Sequence, residues 1–204
     1  WHPAARITAM LEALPEGCLL CLDEAYGEFA PDGTLPPLDP DDRRVIRFRT
    51  FSKAHGLAGL RVGYAIAHPD TARAFDKVRN HFGVTRMGAA AARAAISDPG
   101  HLAAVLAAIG ESRAEIARIA EAAGVRALPS AANFVAVDLG ADGAHARAVM
   151  EGLLGQGIFV RMPGAAPLDR CIRVSCGRPS DMHLLAGALP RAIAEARAAR
   201  TAAS

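Results

Sequence analysis

The chain has 204 residues and a mass of 21.2 kDa; 51% of it is hydrophobic, 22% charged and only 5% aromatic, with a mean hydropathy of +0.17. These values exclude a disordered or fibrous chain and leave room for one large domain or two small ones with an Ala-rich core. Lys and Arg total 23 against 21 Asp and Glu, a net charge of +2, which excludes a nucleic-acid or membrane surface built on bulk charge, so any positive site is local.

Residues 3–14 carry Ile7, Met10, Leu11 and Leu14 at helical spacing, and Pro15-Glu16-Gly17 stops them. The apolar run Cys18–Leu22 then ends abruptly in Asp23-Glu24, the pattern of a strand buried on both faces of a parallel sheet. A Pro/Asp/Gly loop from Pro31 to Asp42 leads to a second strand, Val45–Thr50, and Gly56 and Gly59 punctuate the turn before a third, Val62–Ala67. Helical patterns follow at Asp70–Asn80 and Gly88–Ile96, broken by Asp98-Pro99-Gly100, then at His101–Gly124, with Gly124 in the C-terminal position. Asn133–Leu139 reads as a strand, Ala144–Leu154 as a helix, Ile158–Arg161 and Cys171–Ser175 as short strands. Asp181–Arg200 reads as a helix that Pro190 should kink or divide. The expected class is therefore α/β, with a mostly parallel sheet in the first part, a smaller α+β layer in the second and a boundary near Pro99.

The longest apolar stretches, such as Gly17–Leu22 and His101–Gly110, fall short of the roughly 20 residues that span a bilayer. The chain opens on Trp1-His2-Pro3, with neither an initiator Met nor a leader pattern, so an upstream segment is expected. Four cysteines are too few for a disulfide scaffold. Cys18 and Cys21 are expected to be buried reduced thiols of a cytoplasmic protein, and the seven histidines show no metal-ligand spacing.

Chemistry-bearing residues gather at the ends of the first three strands: Asp23 with Tyr26, Thr50 with Ser52 and Lys53, and Arg61. Strand ends are where parallel sheets bind ligands. An aromatic aldehyde cofactor with a phosphate handle needs a Lys amine, a carboxylate for its ring nitrogen, a phenol for its ring oxygen, and hydroxyls plus an Arg for its phosphate. These six residues supply each of those groups.

Leu22-Asp23-Glu24-Ala25-Tyr26, with the run from Arg49 through Ser52-Lys53-Ala54-His55-Gly56 to Arg61-Val62-Gly63-Tyr64, resembles the fold-type-I pyridoxal-phosphate aminotransferases. The spacing of Asp23, Lys53 and Arg61 is most similar to the histidinol-phosphate subfamily. The later blocks Ser130–Phe134, Gly157–Arg161 and Cys171–Ser175 fall in its order too. The resemblance implies a homodimeric cytoplasmic transferase that moves an amino group between an amino acid or amino-alcohol phosphate and a 2-oxo acid, with histidinol phosphate and 2-oxoglutarate as the leading pair. It implies that residues 1–99 are the latter part of a large pyridoxal-phosphate domain and residues 100–204 a small C-terminal domain.

It further implies that Lys53 is the catalytic amine and proton carrier, and that Asp23 is a buried carboxylate on the ring nitrogen. Tyr26 would donate to the ring oxygen, while Thr50, Ser52 and Arg61 hold the phosphate. Arg173 would bind the substrate carboxylate, assisted by Arg161, with Asn133 as a further substrate contact. His55 is a loop neighbour of Lys53. Where the histidinol-phosphate type carries a Pro-Tyr-Asn-like turn, this chain has Arg79–Arg86. That departure leaves an aromatic or broad-range amino acid substrate open, and phosphothreonine-type decarboxylases use a similar scaffold. The family's first half, with its Gly-rich phosphate turn, is absent from this sequence. Some transcription regulators resemble these enzymes behind a winged helix, and a folding unit without activity of its own is the third alternative.

Overall fold

The computed structural model describes residues 1–37 and 39–202, so position 38 of the Pro31–Asp42 loop lies outside the described residues. The chain divides into two units, Trp1–Leu106 and Ala107–Ser204. The division falls inside a helix that begins at Pro99.

In the first unit, α1 (Ala4–Glu12) precedes a three-stranded sheet of order β1 (Leu20–Asp23), β2 (Val45–Thr50), β3 (Gly63–Ala67). Val45, Ile46 and Phe48 give β2 the β-branched and aromatic content of a central strand, and its bounds are those expected. β1 pairs with it in parallel, Asp23 lying opposite Phe48. β3 returns antiparallel, Thr50 opposite Gly63, because the Phe51–Val62 connection holds only a single 3-10 turn, Ala58–Leu60, and no crossover helix that a parallel neighbour would need. The sheet is thus mixed. β1 is also not buried on both faces: Leu20 is buried, but Cys21, which points to the opposite face, is exposed, because nothing among the described residues packs over it there. Cys18 and Cys21 are accordingly exposed free thiols, whereas Cys171 is buried and Cys176 half-buried.

After β3 come α2 (Pro69–Phe75) and α3 (Arg86–Ile96). The helix expected to reach Asn80 stops at Phe75. Val78 beyond it is 81% exposed, so no packing face stabilises a longer helix there. Thr85 caps α3 by accepting from the Gly88 amide at 3.0 Å. Gly88 itself is dictated by packing, because a Cβ there would lie 2.6 Å from Val62 Cγ2.

The helix α4 (Pro99–Ala122) leads into the second unit, an antiparallel sheet of order β4 (Arg126–Ala127), β5 (Phe134–Asp138), β6 (Cys171–Ser175) with α5 (Gly143–Gly155) and α6 (Pro179–Ala202). Fully buried Ile116, Val137, Val149, Leu153, Ile172 and Leu189 anchor one continuous core drawn from every layer of this unit. Residues 158–161 do not form the expected strand: only an isolated bridge joins Arg161 to Arg173. α6 runs undivided through Pro190. Proline removes one backbone bond, and the burial of Leu189, Ala192 and Ile193 on either side keeps the helix in register with the core. Among the described residues no helix is long and apolar enough to cross a membrane.

Candidate active site

At the carboxyl ends of β1 and β2 the first unit has an open cavity of about 370 Å³. Asp23, Thr50, Ser52, Lys53 and Arg61 all line it, together with Ala25, Phe48 and Arg49. Tyr26 joins them from the side, its ring centroid 5.1 Å from Lys53 Nζ. The six side chains singled out in the sequence are therefore brought to one place by three strand ends.

Local backbone chemistry explains how each is held. Asp23 Oδ1 accepts the Ala25 amide at 2.9 Å, an Asx turn that ends β1. Thr50 Oγ1 accepts the Ser52 amide at 3.1 Å and starts the lysine loop. That loop closes through Gly56 N to Lys53 O at 3.0 Å and Leu57 N to Phe51 O at 2.8 Å, with Gly56 at φ 69°, where a side chain would be strained. Phe51 roots the loop: it is buried against Val62 and Ala92, and its ring meets those of His55 and Tyr64 at 5.1 and 5.6 Å. Arg61 is the only non-glycine residue at positive φ among those described, at 52°, and its Nη1 donates to Ala58 O at 2.9 Å. That conformation costs on the order of 1 kcal/mol and turns the guanidinium back toward the strand ends. Gly63 follows because a Cβ there would sit 2.8 Å from Arg49 O.

Asp23 differs from expectation in being exposed. It is the last residue of a strand with an open outer edge, so nothing among the described residues shields it from solvent on that side. Arg49 and Phe48, the residues just before Thr50 in β2, also line the cavity and are not among those singled out in the sequence. The available signal was their adjacency to Thr50 at the carboxyl end of the strand.

Arg161, Arg173 and Asn133 belong to the second unit. Arg161 and Arg173 exchange backbone bonds, N to O at 3.2 Å and 2.6 Å. The Arg173 guanidinium lies 4.8 Å over the Phe134 ring, and its buried Nε has no hydrogen-bond partner among the described residues. A buried unpaired guanidinium N–H is costly, and an anion at this face would satisfy it. Asn133 acts through its carbonyl, which accepts the Cys176 amide at 2.9 Å.

The profile of the aminotransferase class I and II family matches residues 2–189. The chain belongs to that family. Histidinol-phosphate aminotransferase 1 of Nitrosococcus oceani is 39% identical over 184 residues, covering 89% of this chain and 49% of that protein. The aromatic amino acid aminotransferase of Mycobacterium avium is 37% identical over 180 residues, covering 83% and 51%. The crystal structure of histidinol-phosphate aminotransferase from Sinorhizobium meliloti in complex with pyridoxal-5'-phosphate superimposes with a TM-score of 0.93 at 55% identity, covering 96% of this chain and 54% of that one. The α/β fold is thus that of the pyridoxal-phosphate-dependent aminotransferases. This aminotransferase chain spans about half the length of the curated relatives it matches.

Proposed function

We propose that the protein carrying this chain is a pyridoxal-phosphate-dependent aminotransferase that uses histidinol phosphate as amino donor and 2-oxoglutarate as acceptor. The observation that supports this best is the convergence of Lys53, Tyr26, Asp23, Thr50, Ser52 and Arg61 on one cavity. Their donor set fits the cofactor: an amine for its aldehyde, a carboxylate for its ring nitrogen, and a guanidinium with two hydroxyls for its phosphate. When bound, the cofactor supplies an aldehyde and a ring that accepts the electron pair released at the substrate carbon.

In this proposal Asp23 keeps the ring nitrogen protonated by placing a negative charge beside it. Tyr26 donates its phenol hydrogen to the ring oxygen. Arg61 holds the phosphate by a charge-assisted fork, and Thr50 and Ser52 donate their hydroxyls. Lys53 is the amine that would hold the cofactor through its aldehyde, and its Nζ, when free, would accept and return a proton. Arg173 binds the substrate carboxylate, which gives its orphaned Nε a partner, with Arg161 beside it and Asn133 at the same strand entry. Residues 1–99 then serve as the latter part of the cofactor domain and 100–204 as the small domain of a cytoplasmic homodimer.

A second substrate reading, an aromatic amino acid, has support from the near-equal identity of the two relatives above. Incubation of the protein at its full natural length with pyridoxal phosphate, borohydride reduction and mass analysis tests the core claim. Labelling confined to the Lys53 peptide and abolished by Lys53→Ala is expected, and unchanged labelling in that variant overturns it. A half-reaction screen with histidinol phosphate, phenylalanine and glutamate then separates the two donors.

A further inference from the structure

Beside the cavity, which Arg49 itself lines, four charged side chains are gathered in the first unit. Glu24 and Arg47 are only 6% and 5% exposed. Glu24 follows Asp23 directly, just past the end of β1. Each oxygen of Glu24 has its own guanidinium. Oε1 accepts from Arg47 Nε at 2.7 Å and lies 2.6 Å from its Nη2, while Oε2 accepts from Arg49 Nε at 2.8 Å. Arg49 also reaches Glu28, its Nη1 being 3.6 Å from Oε1. Burial alone pulls Arg49 down, yet the bond from Glu24 and the charges of Glu24 and Glu28 more than reverse it and hold its guanidinium above its ordinary value.

Desolvating such groups costs several kcal/mol per ion, and apolar residues of the same volume would stabilise the fold at least as well. Geometry is what this network supplies. Glu24 and Glu28 bracket Tyr26 in sequence, and the 3-10 turn Gly27–Phe29 begins immediately after it. Arg49 ties both carboxylates to β2 one residue before Thr50, in the strand that feeds the Lys53 loop. The backbone bond from Glu24 N to Phe48 O, at 2.9 Å, closes the same junction. Tyr26 is thus held from both sides against β2, and its ring meets Lys53 Nζ at 5.1 Å.

We infer that Arg49, gripped between Glu24 and Glu28, is a positioning residue that sets the Tyr26 phenol against Lys53. The inference rests on the cofactor reading proposed above. Lysine cannot replace it, because a compact ammonium on a flexible stem lacks the planar guanidinium that donates to Glu24 and at the same time extends its charge toward Glu28. A phenol donating to the cofactor's ring oxygen stabilises negative charge there, so its displacement moves the pH midpoint of the bound cofactor's visible absorbance upward.

The test is a pH titration of that absorbance in the full-length protein loaded with pyridoxal phosphate, for wild type, Arg49→Lys, Tyr26→Phe and the double variant. Arg49→Lys should raise the midpoint by roughly half a unit to one unit, in the direction of Tyr26→Phe, and the double variant should match Tyr26→Phe alone. An unmoved midpoint with a lowered melting temperature shows a purely structural role and overturns the inference. Additive shifts also overturn it, because Arg49 then acts by its own charge and not through Tyr26. If Arg49→Lys fails to fold, Glu28→Gln, which leaves the Glu24 bonds intact, should give a smaller shift of the same sign, and no shift overturns the inference. A wild-type protein with no band sensitive to Lys53→Ala sinks the cofactor reading itself, and this inference with it.

Discussion

The two units are stabilised in different ways. Ala107–Ser204 closes a continuous apolar core over both faces of its elements, with Val137, Val149, Leu153 and Ile172 fully buried. Among the described residues of Trp1–Leu106 the apolar cluster is small, centred on Phe51, Val62 and Ala92, with Leu20, Phe29 and Ile46 buried apart from it, and the unit exposes Val78, Phe82, Val84, Met87 and Ile96. Its cavity residues are held instead by Asx and hydroxyl turns, one left-handed arginine and a buried charge network. The unit that holds Lys53 therefore depends on directional bonds, while the other depends on close packing. Directional bonds fix geometry at little net gain in stability, which suits residues that must meet at a set distance.

Removing packing from the second unit should have the largest effect. Leu153→Ala opens a cavity among side chains that cannot collapse onto it and should cost about 2–5 kcal/mol, read from denaturant unfolding followed by exchange of the β5 and β6 amides. A loss below about 1 kcal/mol would mean that this core is not close-packed, and the contrast between the units would fail.

The same contrast explains how much could be read from sequence. β2 and β6 were legible to the residue because short β-branched runs bounded by polar residues have one sensible length. The cavity set was legible because each member ends a strand. Features set by distant parts of the chain were not. The Glu24–Arg47–Arg49 network joins residues 23 and 25 positions apart, which no local pattern can pair. The exposure of Cys21 in β1 depends on what packs over one face of the sheet, which the strand's own residues do not specify. The bridge at Arg161 arises from a single contact with β6 and carries no strand period.

Acid should sharpen the difference, since two buried side chains of the second unit, His145 and Asp138, are shifted in one direction. Burial first, then the guanidinium charges of Arg197 and Arg200, hold His145 below its ordinary value of 6.5, against a smaller upward pull from Asp142. The unfolded chain then binds this proton more readily, so the contribution of neutral His145 is complete above pH 6.5 and lost as pH falls through and below it. Asp138 is pulled up by burial, but the Gly140 amide and the guanidinium groups of Arg170 and Arg126 outweigh that and leave it below its ordinary value of 3.8. Its contribution is present above 3.8 and lost as pH falls toward the folded value. Denaturant midpoints for the second unit should therefore decline in two stages. His145→Gln should remove the upper stage and Asp138→Asn the lower, and a flat profile from pH 7 to 5 would contradict the His145 assignment.

The smallest expected effect is in the first unit's exposed apolar surface. Phe82 is 92% exposed, and its backbone amide donates locally to Asn80 Oδ1 at 3.2 Å in an exposed turn. The ring buries almost nothing within this chain, so Phe82→Ser should leave unfolding free energy within about 0.5 kcal/mol of wild type. Solubility should nevertheless rise, because neighbouring Val78 and Val84 make the side chain part of an exposed apolar surface. A destabilisation above about 1 kcal/mol would show that the ring is packed in solution, and the first unit would then have more apolar support than its Phe51 cluster provides.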